Sequence, residues 1–265
     1  MAESARNQAV QAGCDLLEQG DVRGAITLLE ACCREHDRDA DALFTLGDAY
    51  AEDNLLEKAI SVYRRGLDLA PDDPDALTTM GDLLFEAGQH SDAIAMYRRV
   101  IELDPKDADA RVSIGLVYSS LERSDDAIRA FRQAIELDSD NVFAWNALGD
   151  ALYGRGDCQE AVDAYQKGIE IDPSDPAAHY NLGELYYDLD ELEEAEDECR
   201  EAISLDPSFS MAYLTLGGIC MDQDRIAEAI EAFEGYLAHE RSSAAADMIS
   251  EVRAVVEGLR EELKG

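Results

Sequence analysis

Apolar residues fall at helical spacing in paired segments along this chain, and the pairs return every 34 residues. In the stretch that opens at Ala40, Leu43, Leu46, Ala49 and Tyr50 mark one face of a first segment. Ala59, Ile60, Val62, Tyr63, Leu67 and Leu69 mark the face of a second. Asn54 stands between them, and the matching sites hold Gly20, Gly88, Glu122, Gly156, Asp190 and Asp224. Gly, Asn and Asp tolerate the left-handed backbone that ends a helix. Glu122 does not fit that set and predicts a locally different turn.

The joins between pairs are marked as regularly. The six prolines, at 71, 74, 105, 173, 176 and 207, all flank a join and none falls inside a predicted helix. There a proline either stops one helix or occupies the first turn of the next, where its missing donor costs nothing. Asp39, Asp73, Asp107, Asn141 and Asp175 precede the new helices and are good N-caps, worth about 1 kcal/mol each. Phe209 breaks that series, and Ser208 or Ser210 is expected to cap in its place.

The recurrence is specific in residue type as well as in period. Leu46-Gly47-x-x-Tyr50 is followed by Ala59, Tyr63 and Pro71. The next copies carry Met80-Gly81, Ala93, Tyr97 and Pro105, then Ile114-Gly115-x-x-Tyr118, Ala127 and Phe131. Trp145-x-x-Leu148-Gly149, Ala161, Tyr165 and Pro173 come next, then Leu182-Gly183-x-x-Tyr186, Ala195 and Pro207, then Leu216-Gly217, Ala229 and Phe233. A weaker copy with Gly13, Leu16, Ala25 and Leu29 leads them. The pattern resembles the tetratricopeptide repeat, a helix–turn–helix unit. That resemblance implies an all-α fold, a right-handed α-α superhelical solenoid of seven helix pairs plus a C-terminal capping helix. Residues 1–5 form a lead-in, and the repeats occupy 6–39, 40–73, 74–107, 108–141, 142–175, 176–209 and 210–243. Residues 244–265 form an amphipathic cap, with Met248, Val252, Val255, Val256, Leu259 and Leu263 as its stripe and Ser243 as its N-cap. Such a stack reads as one elongated domain. Gly47 and Ala59 sit where the two helices of a repeat cross, and small side chains there let the backbones approach.

No basic segment followed by an apolar run opens the chain, and no stretch approaches the length of a membrane span, so a cytoplasmic location is expected. Six cysteines, at 14, 32, 33, 158, 199 and 220, form no Cys-x-x-Cys pair. Cys199 and Cys220 take interior positions as small hydrophobes, and a disulfide framework is not expected in a reducing compartment. Adjacent Cys32 and Cys33 leave a redox or metal role open. His179 stands where the preceding copy has Trp145 and reads as a packed interior residue.

Charge changes the picture most. Acidic residues outnumber basic ones 59 to 22, for a formal net charge of −37. Nucleic acid needs its phosphates neutralised by Lys and Arg, so neither it nor an anionic membrane is an expected partner. A protein or peptide with a basic segment is. Only four lysines accompany 18 arginines. A salt-adapted cell and a GC-rich genome both account for that balance.

In the family, the first helix of each repeat lines a concave groove, and the resemblance maps its contact positions here. The site after the recurring glycine holds Asp48, Asp82, Asp150 and Glu184, with Leu116 interrupting. Phe44 and Tyr180 stand four residues earlier, and Phe85, Tyr153 and Tyr187 stand three residues later, on one helix face. These nine residues are the expected partner-binding set. The groove lacks the Lys, Arg and Asn that grip chaperone C-termini in one subfamily. The asparagine ladder of another subfamily is reduced to Asn181.

The second helices carry Arg64, Arg98 and Arg132, each four residues before an acid, and intrahelical pairing on an outer face is expected. Residues 188–201 hold nine acids and one arginine, which reads as a solvated helix or a dock for a basic partner. No nucleophile elbow, phosphate loop or zinc motif occurs, so no catalytic residue, metal site or cofactor is assigned. The leading expectation is a non-catalytic adaptor that binds a basic, partly apolar segment in an acidic, aromatic-lined groove. A scaffold self-associating as a homo-oligomer through its end repeats, and a non-catalytic assembly subunit of an enzyme complex, stand beside it.

Overall fold

The computed structural model describes residues 2–264, with side chains from residue 7 onward. Seven helix pairs follow one another: α1 (Ala2–Glu18) with α2 (Val22–Glu35), α3 (Ala40–Glu52) with α4 (Leu56–Leu69), α5 (Pro74–Glu86) with α6 (His90–Leu103), and α7 (Asp109–Ser120) with α8 (Ser124–Leu137). Then come α9 (Val142–Arg155) with α10 (Cys158–Ile171), α11 (Pro176–Asp188) with α12 (Leu192–Leu205), and α13 (Ser210–Asp222) with α14 (Ile226–His239). A last helix, α15 (Ala246–Glu262), closes the series, and the described residues contain no strand. Because α1 begins at Ala2, the expected lead-in is helical from that residue on.

Packing divides the chain into two compact units, Met1–Leu137 with four pairs and Asp138–Gly265 with three pairs and α15. The repeat register alone implied one domain. A stack whose members touch only their neighbours has no central core to unify it. Within the first unit α2 packs on α3, α4 on α5 and α6 on α7. Within the second, α10 packs on α11, α12 on α13 and α14 on α15.

All seven intra-repeat turns pass through a left-handed residue. Gly20, Gly88 and Gly156 do so without a side chain, and Asn54 (φ 57°), Asp190 (62°) and Asp224 (58°) do so with one. Glu122 (φ 56°) takes the same conformation, so the expected local departure does not occur. The turn geometry overrides the residue's own preference there.

The helix starts are capped as the sequence implies. Asp39, Asp73, Asp107, Asn141 and Asp175 accept from the backbone N–H of Ala42 (3.3 Å), Ala76 (2.9 Å), Ala110 (2.7 Å), Ala144 (2.8 Å) and Ala177 (2.9 Å). At Phe209 neither neighbouring serine substitutes. The Ser208 hydroxyl donates to Asp206 (2.7 Å) and that of Ser210 to Glu240 (2.9 Å). Near the C-terminus Ser242, not Ser243, is the cap, accepting from the Ala244 N–H (3.2 Å) at the start of a single 3-10 turn. Val252, Val256 and Leu259 of α15 are buried, whereas Met248, Val255 and Leu263 remain exposed.

The recurring small residues have the packing role expected of them. Ala59, Ala93, Ala127, Ala161, Ala195 and Ala229 are fully buried. A β-carbon added at Gly47, Gly81, Gly115, Gly149 or Gly217 would collide with the ring of Tyr63, Tyr97, Phe131, Tyr165 or Phe233 respectively. His179 is interior, as expected, and its register explains why. Arg111, Trp145, His179 and Tyr213 occupy one position in four successive repeats, and each reaches the carbonyl six residues earlier, at 2.8, 2.9, 3.2 and 3.3 Å. Four different polar tips thus satisfy the same acceptor at the join. The other ring nitrogen of His179 lies 2.6 Å from Glu198 Oε2.

Candidate functional site

The acidic row is built from both helices of each repeat. Asp48 lies on α3, Asp82 on α5 and Asp150 on α9, each exposed and each one residue after the glycine that admits the facing ring. The hydroxyl of that ring reaches past the glycine and donates to the carboxylate. Tyr63 bonds Asp48 Oδ1, Tyr97 bonds Asp82 Oδ1 (2.6 Å) and Tyr165 bonds Asp150 Oδ1 (2.6 Å). Glu184 is held differently. Cys199 stands where the tyrosine would be, and Tyr180 donates to Glu184 Oε1 from the same helix (3.0 Å).

The surrounding protein displaces water from Asp48 and Asp150 even though each keeps an open side. This desolvation pushes both carboxyls up, against the opposing effect of the tyrosine bonds. Desolvation also raises Tyr63, Tyr97 and Tyr165, whose carboxylate partners add to the effect, so all three remain protonated donors. The following repeat adds a third group. Thr79 lies against the Tyr63 hydroxyl, Ser113 against that of Tyr97, and Asn181 Nδ2 donates to Asp150 Oδ1 at 3.4 Å.

The aromatic half of the expected set divides. Phe44 stacks on Tyr63 with ring centres 5.3 Å apart, and Tyr180 is only 9% exposed, tilted against Phe209 at 5.2 Å. Tyr180 thus fills space between helices, whereas Phe44 is half-buried and keeps part of its surface. Phe85 is half-buried, 5.7 Å from the His90 ring. Tyr153 and Tyr187 keep part of their surface, and their hydroxyls are tied to the next first helix. Tyr153 donates to Asp188, and Tyr187 donates to Asp222 Oδ2 (2.7 Å). The Asp188 bond pushes Tyr153 up to about 12, and burial aided by the Asp222 bond does the same for Tyr187.

In the first unit the structure therefore leaves Asp48, Asp82 and the edge of Phe85 available. In the second, Asp150 holds the Tyr165 hydroxyl, Glu184 and Tyr153 act on it electrostatically, and Tyr187 stands one turn beyond Glu184. Sequence reasoning missed Tyr63, Tyr97 and Tyr165 as members of the site. The signal was present, since a tyrosine stands 15 residues after each aspartate of the row.

Arg64 and Arg98 do not pair as expected. No ion pair joins Arg64 to Asp68 or Arg98 to Glu102 among the described residues; Arg98 instead reaches the Tyr118 hydroxyl (3.4 Å). Arg64 lines a cleft of about 490 Å³ with Leu67, Met80, Leu84 and Met96. The acid run at 188–201 is partly consumed within the fold, where Glu196 binds Arg200 (2.7 Å) and Arg225 (3.0 Å). All six cysteines are free. Burial pushes Cys33 up to about 11 and Cys199 up to about 12, so both thiols stay protonated near neutral pH. Among the described residues no group of three or more His, Cys, Asp or Glu is placed to hold a metal. None of their helices is long and apolar enough to cross a membrane.

Sequence profiles described as "Tetratricopeptide repeat" match residues 10–74, 78–142 and 176–209, and one described as "TPR repeat" matches 149–190. The chain is a tetratricopeptide repeat protein. A tetratricopeptide repeat protein from Parabacteroides merdae is similar over 96% of this chain and 99% of its own, at TM-score 0.73 and 19% identity. The MamA protein is similar over 65% of this chain and 94% of its own, at TM-score 0.59 and 27% identity. YrrB, described as having an unusual peptide-binding site, covers 69% of this chain with 95% of its own, at TM-score 0.53 and 23% identity. No curated protein matches the chain significantly. Repeats of this family are in general non-catalytic interaction modules.

Proposed function

We propose that this protein is a non-catalytic adaptor whose first-helix faces bind a basic, partly apolar segment of a partner protein. The observation that carries the reading is the row of Asp48, Asp82, Asp150 and Glu184. These carboxylates recur at one register on four first helices, where solvent reaches them. Tyr153, Tyr187 and the edge of Phe85 supply apolar contact area beside the carboxylates. The charges set on-rate and register, and the aromatics contribute to lifetime. The net charge of −37 favours encounter with a cationic segment.

The test uses a labelled peptide of alternating lysine and leucine. Replacing the three aspartates by Asn together with Glu184→Gln is expected to weaken binding at least about tenfold and flatten its salt dependence. Changing Arg64, Arg98 and Arg132 to Ala is expected to leave it within about twofold. The reverse result would move the partner to the second-helix face and overturn the assignment.

A self-associating scaffold has one observation behind it, the exposed Met248 and Val255 on α15 and Leu263 just after it. A monomeric mass by light scattering at high protein concentration removes that alternative.

A further inference from the structure

Across the repeats, the residue after the glycine and the ring-bearing position of the second helix change together. Asp48 goes with Tyr63, Asp82 with Tyr97 and Asp150 with Tyr165. Leu116 goes with Phe131, Gly218 with Phe233 and Cys14 with Leu29. At the third position Thr79, Ser113 and Asn181 accompany the three polar sets and Ala147 stands in register after Phe131, although Thr45 and Thr215 are polar without the tyrosine. Glu184, which lacks the tyrosine, has acquired its own donor in Tyr180.

Packing does not require the hydroxyl, because Phe131 and Phe233 fill the same space against Gly115 and Gly217 and are themselves buried. The tyrosine is present where there is a carboxylate to hold, and the carboxylate's far side faces solvent. In each polar set the held oxygen is Oδ1, and in Asp150 that oxygen takes a second donor from Asn181. Oδ2 is left as the open acceptor.

Resting on the adaptor reading, we propose that Tyr63, Tyr97 and Tyr165 are positioning residues that present Asp48, Asp82 and Asp150 as single-oxygen acceptors, and so select lysine over arginine in the bound segment. A guanidinium gains its advantage on a carboxylate by engaging both oxygens with its planar fork. An ammonium needs only one oxygen. With Oδ1 already engaged by the tyrosine, the fork loses half its partner and the ammonium loses nothing. Repeats without the tyrosine–aspartate pair contribute no such station, so the selection acts at three defined places.

The experiment measures calorimetric affinities of the full chain for amidated hexalysine and hexaarginine, with the wild type and with Y63F/Y97F/Y165F. Phenylalanine already occupies this position in two repeats, and circular dichroism checks that the variant is folded. Wild type is expected to bind hexalysine at least as tightly as hexaarginine. In the triple variant the freed Oδ1 atoms are expected to shift the ratio towards arginine by at least about threefold. Binding of both peptides with an arginine preference that the variant does not alter overturns the tyrosine's role and leaves the adaptor reading standing. Binding of neither peptide overturns the adaptor reading and this inference with it.

Discussion

The Tyr187 hydroxyl donates to Asp222 Oδ2 at 2.7 Å across 35 positions, joining the end of one first helix to the end of the next. Tyr153 and Asp188 repeat the relationship one repeat earlier. These bonds link successive repeats on the same face as the acidic row. A double-mutant cycle with Tyr187→Phe and Asp222→Asn is expected to show a coupling of about 0.5–1 kcal/mol in urea unfolding, because the pair is partly exposed. Additive single-mutant effects would mean that the bond contributes nothing.

Glycines of the two kinds in these helices should respond oppositely to the same change. Gly81→Ala places a methyl group against the Tyr97 ring and is expected to cost about 1–3 kcal/mol. Gly154→Ala in α9 meets nothing within 4 Å and is expected to stabilise by up to about 1 kcal/mol. Chemical denaturation of the two variants checks the contrast.

The raised carboxyls at Asp48 and Asp150 carry a pH signature. A group whose folded pKa lies above its unfolded value binds more protons when folded, so stability falls as pH rises through the window between the two. Above that window the ionised form bears the full desolvation penalty. Asp48→Asn with Asp150→Asn keeps an acceptor for each tyrosine and removes the penalty. The pair of changes is expected to raise Tm at neutral pH, with the gain shrinking as pH falls below the ordinary carboxylate range. An equal or larger gain at low pH would contradict the sign.

Self-repulsion among 59 acidic side chains should weaken as counter-ions accumulate. Tm is therefore expected to rise between low and molar sodium chloride. A flat or falling curve would show that the carboxylates are already too well separated or paired for repulsion to matter.

The helix pairs were legible because period, turn and cap all point the same way at each repeat, from Asp39 capping α3 to Asn54 ending its turn. Glu122 was misread because propensity is a local argument, and the left-handed turn is imposed by the two helices that meet there. Ser208 and Ser210 were misread because each is drawn to a carboxylate, one in the preceding join and the other at the end of α14. Within the candidate site the aspartates could be placed by register. Spacing placed Phe44 and Tyr180 on the same helix face as the row, but it does not tell that each also borders a ring, Tyr63 and Phe209 respectively. Arg98 departs from its expected pairing for a related reason: spacing of four makes an intrahelical pair available, but Arg98 finds a hydroxyl on the neighbouring repeat instead.

The glycine-against-ring contact closes within a single repeat, since Gly47 meets Tyr63, Gly81 meets Tyr97 and Gly149 meets Tyr165 at one constant separation. Copying a whole unit therefore copies its lock intact, together with the carboxylate that the ring holds. Inserting or deleting one residue between glycine and ring rotates the ring off the glycine and loses both at once. A lineage can lengthen or shorten such a chain only in whole-repeat steps, and copying or losing one of these three repeats carries its held carboxylate with it as a discrete unit.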